Sequence, residues 1–319
     1  MSKVDIISGF LGAGKTTLIK KLINEAYYDE KIVLIENEFG EIGIDGTFLQ
    51  DSGVTINEMN SGCICCSLVG DFETSLKEVL ETYHPDRIII EPSGVGKLSD
   101  VIKAVQDVHS HDIELDHFIT VVDAKKCRMY IKNFGEFYNN QVEYASLIVL
   151  SRSQDLTEFQ LNECLELLKN INNQTPIITT PWDKLDGQDI LNAGLVDLQH
   201  EILEDEHDHE CCGHHEHDHD HECCGGHHHH HADEVFQSIG FDTAKKYSKE
   251  ELSDILNKLS NENVLRAKGF VDSDDTDWWY FDLVPEEFEI RLGKPMYTGK
   301  ICVIGKDIDE NKMKELFLG

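Results

Sequence analysis

Gly9-Phe10-Leu11-Gly12-Ala13-Gly14-Lys15-Thr16, with the apolar run Val4-Asp5-Ile6-Ile7-Ser8 before it and a helical pattern over residues 15–26 after it, decides the fold. Gly-x-x-x-x-Gly-Lys-Thr between a buried strand and a helix is a phosphate loop, whose backbone N–H groups face an anion at the helix N-terminus. Gly9, Gly12, Ala13 and Gly14 then form the cradle, with Lys15 reaching the outer phosphates. Thr16 offers its hydroxyl to Mg2+, and Thr17 joins the same binding set. A plain glycine-rich turn would leave Lys15-Thr16 in register without a reason.

Working outward, strand patterns at 31–35, 87–90, 118–122, 147–150 and 176–179 alternate with helical patterns at 71–81, 98–108, 135–144 and 157–169. This alternation predicts an α/β fold, a P-loop NTPase with a mostly parallel sheet flanked by helices and ligands at the carboxyl ends of the strands. The first domain is expected over 1–199. Residues 200–231 contain 13 histidines, four cysteines and ten acidic residues among 32, so no core can form there, and 200–232 reads as a disordered metal-binding linker. Helical patterns at 252–259 and 310–317 and strand patterns at 264–271, 278–284 and 300–304 then predict a small α+β domain over 233–319. Trp278-Trp279-Tyr280-Phe281 reads as an aromatic core strand, and Glu286-Glu287 as a solvated face.

A formal charge of −33 over 319 residues repels phosphate backbones and anionic lipid, which argues against nucleic-acid and membrane partners. The N-terminus runs almost directly into the phosphate loop without a leader-like segment, so a cytoplasmic protein is expected. There the ten cysteines stay reduced, and their clustering suits metal binding better than a disulfide framework. Cys127 and Cys164 lie in helical patterns and read as packing residues.

Glu91, in Ile88-Ile89-Ile90-Glu91-Pro92-Ser93-Gly94, ends a buried strand where a carboxylate can hold the water shell of magnesium or orient a water, unless it caps the next helix. Gly94 permits close backbone approach to a terminal phosphate. The polar, glycine-punctuated stretch 36–46 could order around a triphosphate and relax afterwards. In Gly62-Cys63-Ile64-Cys65-Cys66, the thiolates of Cys63, Cys65 and Cys66 can supply corners of a tetrahedral soft-metal site. The outside ligand would be Glu36, Glu41 or one of His109, His111 and His117; buried structural cysteines or a redox pair are the alternative. His207-Asp208-His209-Glu210-Cys211-Cys212-Gly213 recurs as His219-Asp220-His221-Glu222-Cys223-Cys224-Gly225, which makes His207, His209, Cys211, Cys212, His219, His221, Cys223 and Cys224 candidate ligands for Zn2+, Co2+ or Ni2+.

Gly9 to Thr17, Glu36-Asn37-Glu38-Phe39-Gly40, Gly62 to Cys66 and Glu91-Pro92-Ser93-Gly94, in that order, resemble the CobW-type phosphate-loop GTPases. Leu265-Arg266-Ala267-Lys268-Gly269 and Val303-Ile304-Gly305-Lys306 are similar to that family's C-terminal domain. The resemblance implies GTP hydrolysis coupled to binding or transfer of zinc or cobalt, with a metalloprotein client. Where the family carries an Asn-Lys-x-Asp base-reading motif, this chain has Ser151-Arg152-Ser153-Gln154, with Asp155 one place late. A Gln amide matches the guanine edge less well than a carboxylate, so GTP with relaxed base selection and ATP both stay open; Arg152 could stack on the base. A metal-storage protein with a vestigial nucleotide site and a small-molecule kinase are the competing functions, and a monomer and a homodimer are both compatible with the sequence.

Overall fold

The computed structural model describes residues 1–36, 55–58, 69–108, 112–193, 235–260, 262–273, 277–296 and 298–319, with 55–58 and 69–71 described by backbone only. The CxCC stretch, Glu41, His109, His111, the segment 37–46 and the histidine tract lie outside them.

Among the described residues, seven parallel strands form the first sheet in the order β3-β2-β4-β1-β5-β6-β7. They are β1 (Ser2–Gly9), β2 (Ile32–Glu36), β3 (Thr55–Glu58), β4 (Arg87–Glu91), β5 (Ile113–Asp123), β6 (Leu147–Ser151) and β7 (Ile177–Ile178). Central strands of a parallel sheet are covered on both faces, which is why β2, β4 and β6 are buried from end to end. Alternate residues feed opposite cores. Val4, Ile6, Ile88, Ile90, Ile148 and Leu150 face one side, and Ile7, Ile89, Leu147 and Val149 face the other. On the first side lie α2 (Val69–Tyr83), α3 (Leu98–Gln106), α4 (Cys127–Glu143) and α5 (Glu158–Ile171); on the second lie α1 (Lys15–Glu25) and α6 (Gly187–Ala193). Helix α5 starts with a complete capping box between Thr157 and Gln160. Cys127 and Cys164 are buried in the first core, as packing residues should be. No described helix is long and apolar enough to cross a membrane.

The second sheet is antiparallel in the order β12-β11-β10-β13-β8, with β9 (Lys246–Tyr247) pairing parallel to β10. Its other strands are β8 (Gln237–Thr243), β10 (Val264–Ser273), β11 (Trp278–Val284), β12 (Glu287–Gly293) and β13 (Gly299–Gly305). The face bearing Ala267, Phe281, Leu283, Ile301 and Val303 packs on α7 (Lys249–Leu259) and α8 (Glu310–Leu318). The opposite face contributes Leu265, Phe270, Trp278, Tyr280, Cys302 and Ile304 to the same core as Phe10, Tyr130 and Phe137. The aromatic run 278–281 is therefore a core strand, as its composition predicts.

A charge cluster is buried toward the amino ends of β1, β4 and β5. Asp5 is fully buried and its Oδ2 accepts from Arg87 Nη1 at 2.7 Å and from the Tyr27 hydroxyl at 2.6 Å. Arg87 also reaches Asp116 at 3.0 Å and Glu30 at 2.6 Å, and its guanidinium lies 4.1 Å from the Tyr27 ring centroid. His117 Nδ1 sits 3.2 Å from Asp5 and 3.5 Å from Asp116. Asp5, Asp116 and His117 are close enough to grip a cation. Arg87 already supplies it, so this is a structural network rather than a metal centre. His117, one of the candidate outside ligands for the CxCC, joins this cluster through its Nδ1.

Burial opposes charge on His117, but hydrogen bonds to Asp116 and Asp5 and their negative charges outweigh it and push the imidazole up to about 9. A folded pKa above the unfolded value gives stability that is complete below about pH 6.5 and lost as pH rises through 9. His117 Nε2 is buried without a hydrogen-bond partner among the described residues, a cost that offsets part of the gain. In urea unfolding from pH 6 to 10, the wild type should lose on the order of 2 kcal/mol more than His117→Asn. Parallel pH curves for the two proteins would show that the imidazole is neutral in the fold.

Candidate functional site

The phosphate loop joins β1 to α1 at the carboxyl edge of the first sheet. Gly9, Gly12 and Gly14 take φ of 142°, 69° and 103°. A Cβ on Gly9 would stand 2.4 Å from the Val121 carbonyl oxygen, so only glycine closes the turn. Gly14 is the N-cap of α1 and offers no side-chain cap, which leaves the first-turn N–H groups facing the loop. Lys15 is buried, and its Nζ donates to the Gly9 carbonyl at 3.0 Å and lies 3.9 Å from Glu91 Oε1. Thr16 Oγ1 is 3.4 Å from each Glu91 oxygen. Lys15, Thr16 and Glu91 thus meet at one corner. Thr17 points outward and Ala13 is buried in the second core.

Glu91 does not cap the next helix, since the N-cap of α3 is Lys97. On the neighbouring strand, Glu36 is the Cα register partner of Glu91, and Glu58 is in turn the partner of Glu36. Glu36 and Glu91 are both buried, one strand spacing (about 4.8 Å) apart. Two such carboxylates side by side favour a nearby cation. Gly94 makes its close approach to the loop itself, where a Cβ would lie 2.9 Å from the Leu11 nitrogen. Gln141 on α4 holds that segment, donating to the Gly94 and Gly96 carbonyls at 3.2 and 2.8 Å.

The segment after β6 turns sharply at Arg152, whose φ of 56° is left-handed, into a short helical turn Ser153–Asp155. Ser151 is buried and donates to the Val122 carbonyl at 3.4 Å. Arg152 Nη1 donates to Asp123 Oδ2 at 2.5 Å and to the Gly12 carbonyl at 3.1 Å, tying this segment to the phosphate loop. Gln154 is exposed, and Asp155 pairs with Lys125 at 3.2 Å. Two participants were not legible in the sequence. Trp182, fixed by donation to the Leu150 carbonyl at 2.9 Å, sets its ring edge 3.2 Å from where a Gly14 Cβ would be. Glu287 is exposed, as a solvated face requires, yet it also opens β12 and lies 3.4 Å from Arg152 Nη2 and 3.8 Å from Lys126 Nζ.

Residues 3–179 match the CobW/HypB/UreG nucleotide-binding domain, and residues 236–319 match the Cobalamin synthesis protein cobW C-terminal domain. The chain is 33% identical over 210 residues to "Zinc chaperone YjiA" of Escherichia coli, an alignment covering 63% of this chain and 64% of that protein. It is 24% identical over 345 residues to "Zinc-regulated GTPase metalloprotein activator 1" of Schizosaccharomyces pombe, covering 96% and 80%. The first of these alignments, like that with "Zinc chaperone CobW" of Sinorhizobium sp (50% of that protein), spans less than two thirds of the relative. Among solved structures, the Zn(II)-bound YjiA GTPase from E. coli aligns at 23% identity over 100% of this chain and 98% of that one, with a TM-score of 0.47. With the nucleotide-binding match running through every strand of the parallel sheet and the second match through the antiparallel one, the chain belongs to the CobW/HypB/UreG family.

Proposed function

We propose that the protein is a nucleoside-triphosphate hydrolase that acts as a metal chaperone, loading zinc or cobalt at the CxCC site and passing it to a metalloprotein client. The observation that carries this reading is the row Glu36–Glu91 beside Thr16: a candidate metal ligand adjoins the phosphate corner across one strand spacing. The names of the relatives, zinc chaperones and a zinc-regulated GTPase, support the same class.

The donor set fits magnesium, because the Thr16 hydroxyl and the Glu91 carboxylate are hard oxygen ligands meeting at one point. When bound with a triphosphate, magnesium neutralises phosphate charge. Lys15 supplies a buried positive charge at the same corner, and the uncapped start of α1 supplies backbone N–H groups. In this reading Glu91 would hold the proton-bearing side of an attacking water, and the close packing at Gly9, Gly12, Gly14 and Gly94 would let the backbone approach the phosphates. Arg152, Ser151, Gln154 and Trp182 border the base end. We assign guanine as the base, read with weak selectivity, since the carboxylate that could read its edge, Asp155, is held by Lys125.

Coupling between the two sites is the core of the proposal. A change in metal affinity of about a hundredfold corresponds to about 2.7 kcal/mol, which must act reciprocally on nucleotide affinity. Zinc titrated into the full-length protein with and without a nonhydrolysable GTP analogue should give two affinities for one tight site, and Cys65→Ala should remove that site. Equal affinities in both states would end the chaperone reading. Loss of all metal capacity on deleting residues 200–231 would favour storage instead.

A further inference from the structure

The tip of the β11–β12 hairpin rests on the outer side of the phosphate loop. A Cβ on Gly12 would stand 2.3 Å from Val284 Cγ1, so the hairpin covers the glycine directly. The register Val284↔Glu287 leaves a two-residue turn, Pro285-Glu286. Glu286 takes φ of 71°, a conformation that such a turn ordinarily gives to glycine or asparagine. Backbone held in this way aims the next side chain, Glu287, at the segment after β6. Its Oε2 lies 3.4 Å from Arg152 Nη2, while the other guanidinium nitrogen, Nη1, is engaged by Asp123 and the Gly12 carbonyl. Lys126, buried and with no hydrogen-bond partner for its Nζ among the described residues, stands 3.8 Å from the same carboxylate oxygen. Burial, joined by the charge of Arg152, pushes its pKa down against the opposing pull of Asp123, Glu287 and Glu286.

We propose that Glu287 is a positioning residue for the nucleotide: a carboxylate from the second sheet that fixes Arg152 at the base end of the site. Two carboxylates, Asp123 and Glu287, hold the two ends of one guanidinium, so its plane is set before any base arrives. Removing Glu287 frees one end, and Arg152 then samples orientations that it must abandon on binding. Lys126 shares this carboxylate, so without Glu287 the repulsion between Lys126 and Arg152 is left less compensated. The role is binding rather than chemistry. Glu287 acts through Arg152 rather than at the Thr16–Glu91 corner.

This inference rests on the reading of the chain as a triphosphate hydrolase, and the experiment separates the two. Steady-state GTP hydrolysis by the full-length protein should show Glu287→Gln raising KM about three- to fivefold, the scale of a partly exposed ion pair, with kcat within about twofold. Glu287→Asp should recover most of the loss. In 1 M NaCl the wild type and Glu287→Gln should converge, since salt screens an exposed pair. Unchanged KM in Glu287→Gln at low salt would overturn the assignment. So would a KM rise that persists at high salt and accompanies a lowered Tm, which would mark a structural role. A wild type that neither binds nor hydrolyses GTP or ATP would sink the hydrolase reading and this inference with it.

Discussion

Lys15→Ala lowers kcat/KM for GTP by about a hundred- to a thousandfold, the loss expected when one preorganised charge is removed from a phosphate site. The reason lies in the burial of this ammonium. It is held between the Gly9 carbonyl and Glu91, so the triphosphate meets a cation already desolvated and already aimed. Without it, Glu91 and its neighbour Glu36 face an incoming polyanion with less positive charge between them. Hydrolysis assays with a parallel thermal melt provide the check. A folded variant that kept more than a tenth of wild-type kcat/KM would show that the phosphates sit elsewhere.

Arg87→Met destabilises the protein by about 3–5 kcal/mol, the cost of stripping a buried carboxylate of its partner. Asp5 is fully buried, and Arg87 is the cation shared by Asp5, Asp116 and Glu30. Among the described residues, His117 would remain as the one positive group paired with Asp5. Adding Asp5→Asn to Arg87→Met should recover part of the loss, because an amide without a charge costs less to bury. Urea unfolding at pH 7 measures both. A loss below about 1 kcal/mol for Arg87→Met would mean that water reaches the cluster.

The same strands carry both predictions, and they were the part of the fold most legible in the sequence. Runs such as Ile88-Ile89-Ile90 and Leu147-Ile148-Val149-Leu150 need cover on both faces, which in an alternating chain means a parallel sheet. Short edge strands were harder. Thr55–Glu58 has only four residues, and Glu287–Gly293 alternates exposed Glu287, Glu289 and Arg291 with half-buried Phe288 and Ile290, so its charges hid its strand. In α4 the pattern revealed only residues 135–144, although the apolar stripe Tyr130, Phe134, Phe137 enters one core; the helix is kinked at Phe134, which departs from helical geometry. Strand β8 places Ile239, Phe241 and Thr243 inward, but Gly240 in its middle lowers its strand signal.

At the site, the loop residues were readable because their chemistry requires adjacent positions. Glu91 was readable from its place at the end of a buried run. Trp182 and Glu287 were not, since Trp182 reaches Gly14 and Glu287 reaches Arg152 by long-range contacts with no local signature. Arg152 was noticed for its position, but its link to Asp123 depends on the register Asp123↔Ser151 between β5 and β6.

Phe236 packs against Phe134 and Phe137 at centroid distances of 5.8 and 5.0 Å, and Leu265, Trp278 and Ile304 extend the same core. The interior that supports the phosphate loop is therefore completed by residues more than two hundred positions away in the chain. A shared core of this kind predicts that the two sheets melt as one cooperative unit, in which stability gained by a ligand at the loop would be shared by strands that do not touch it.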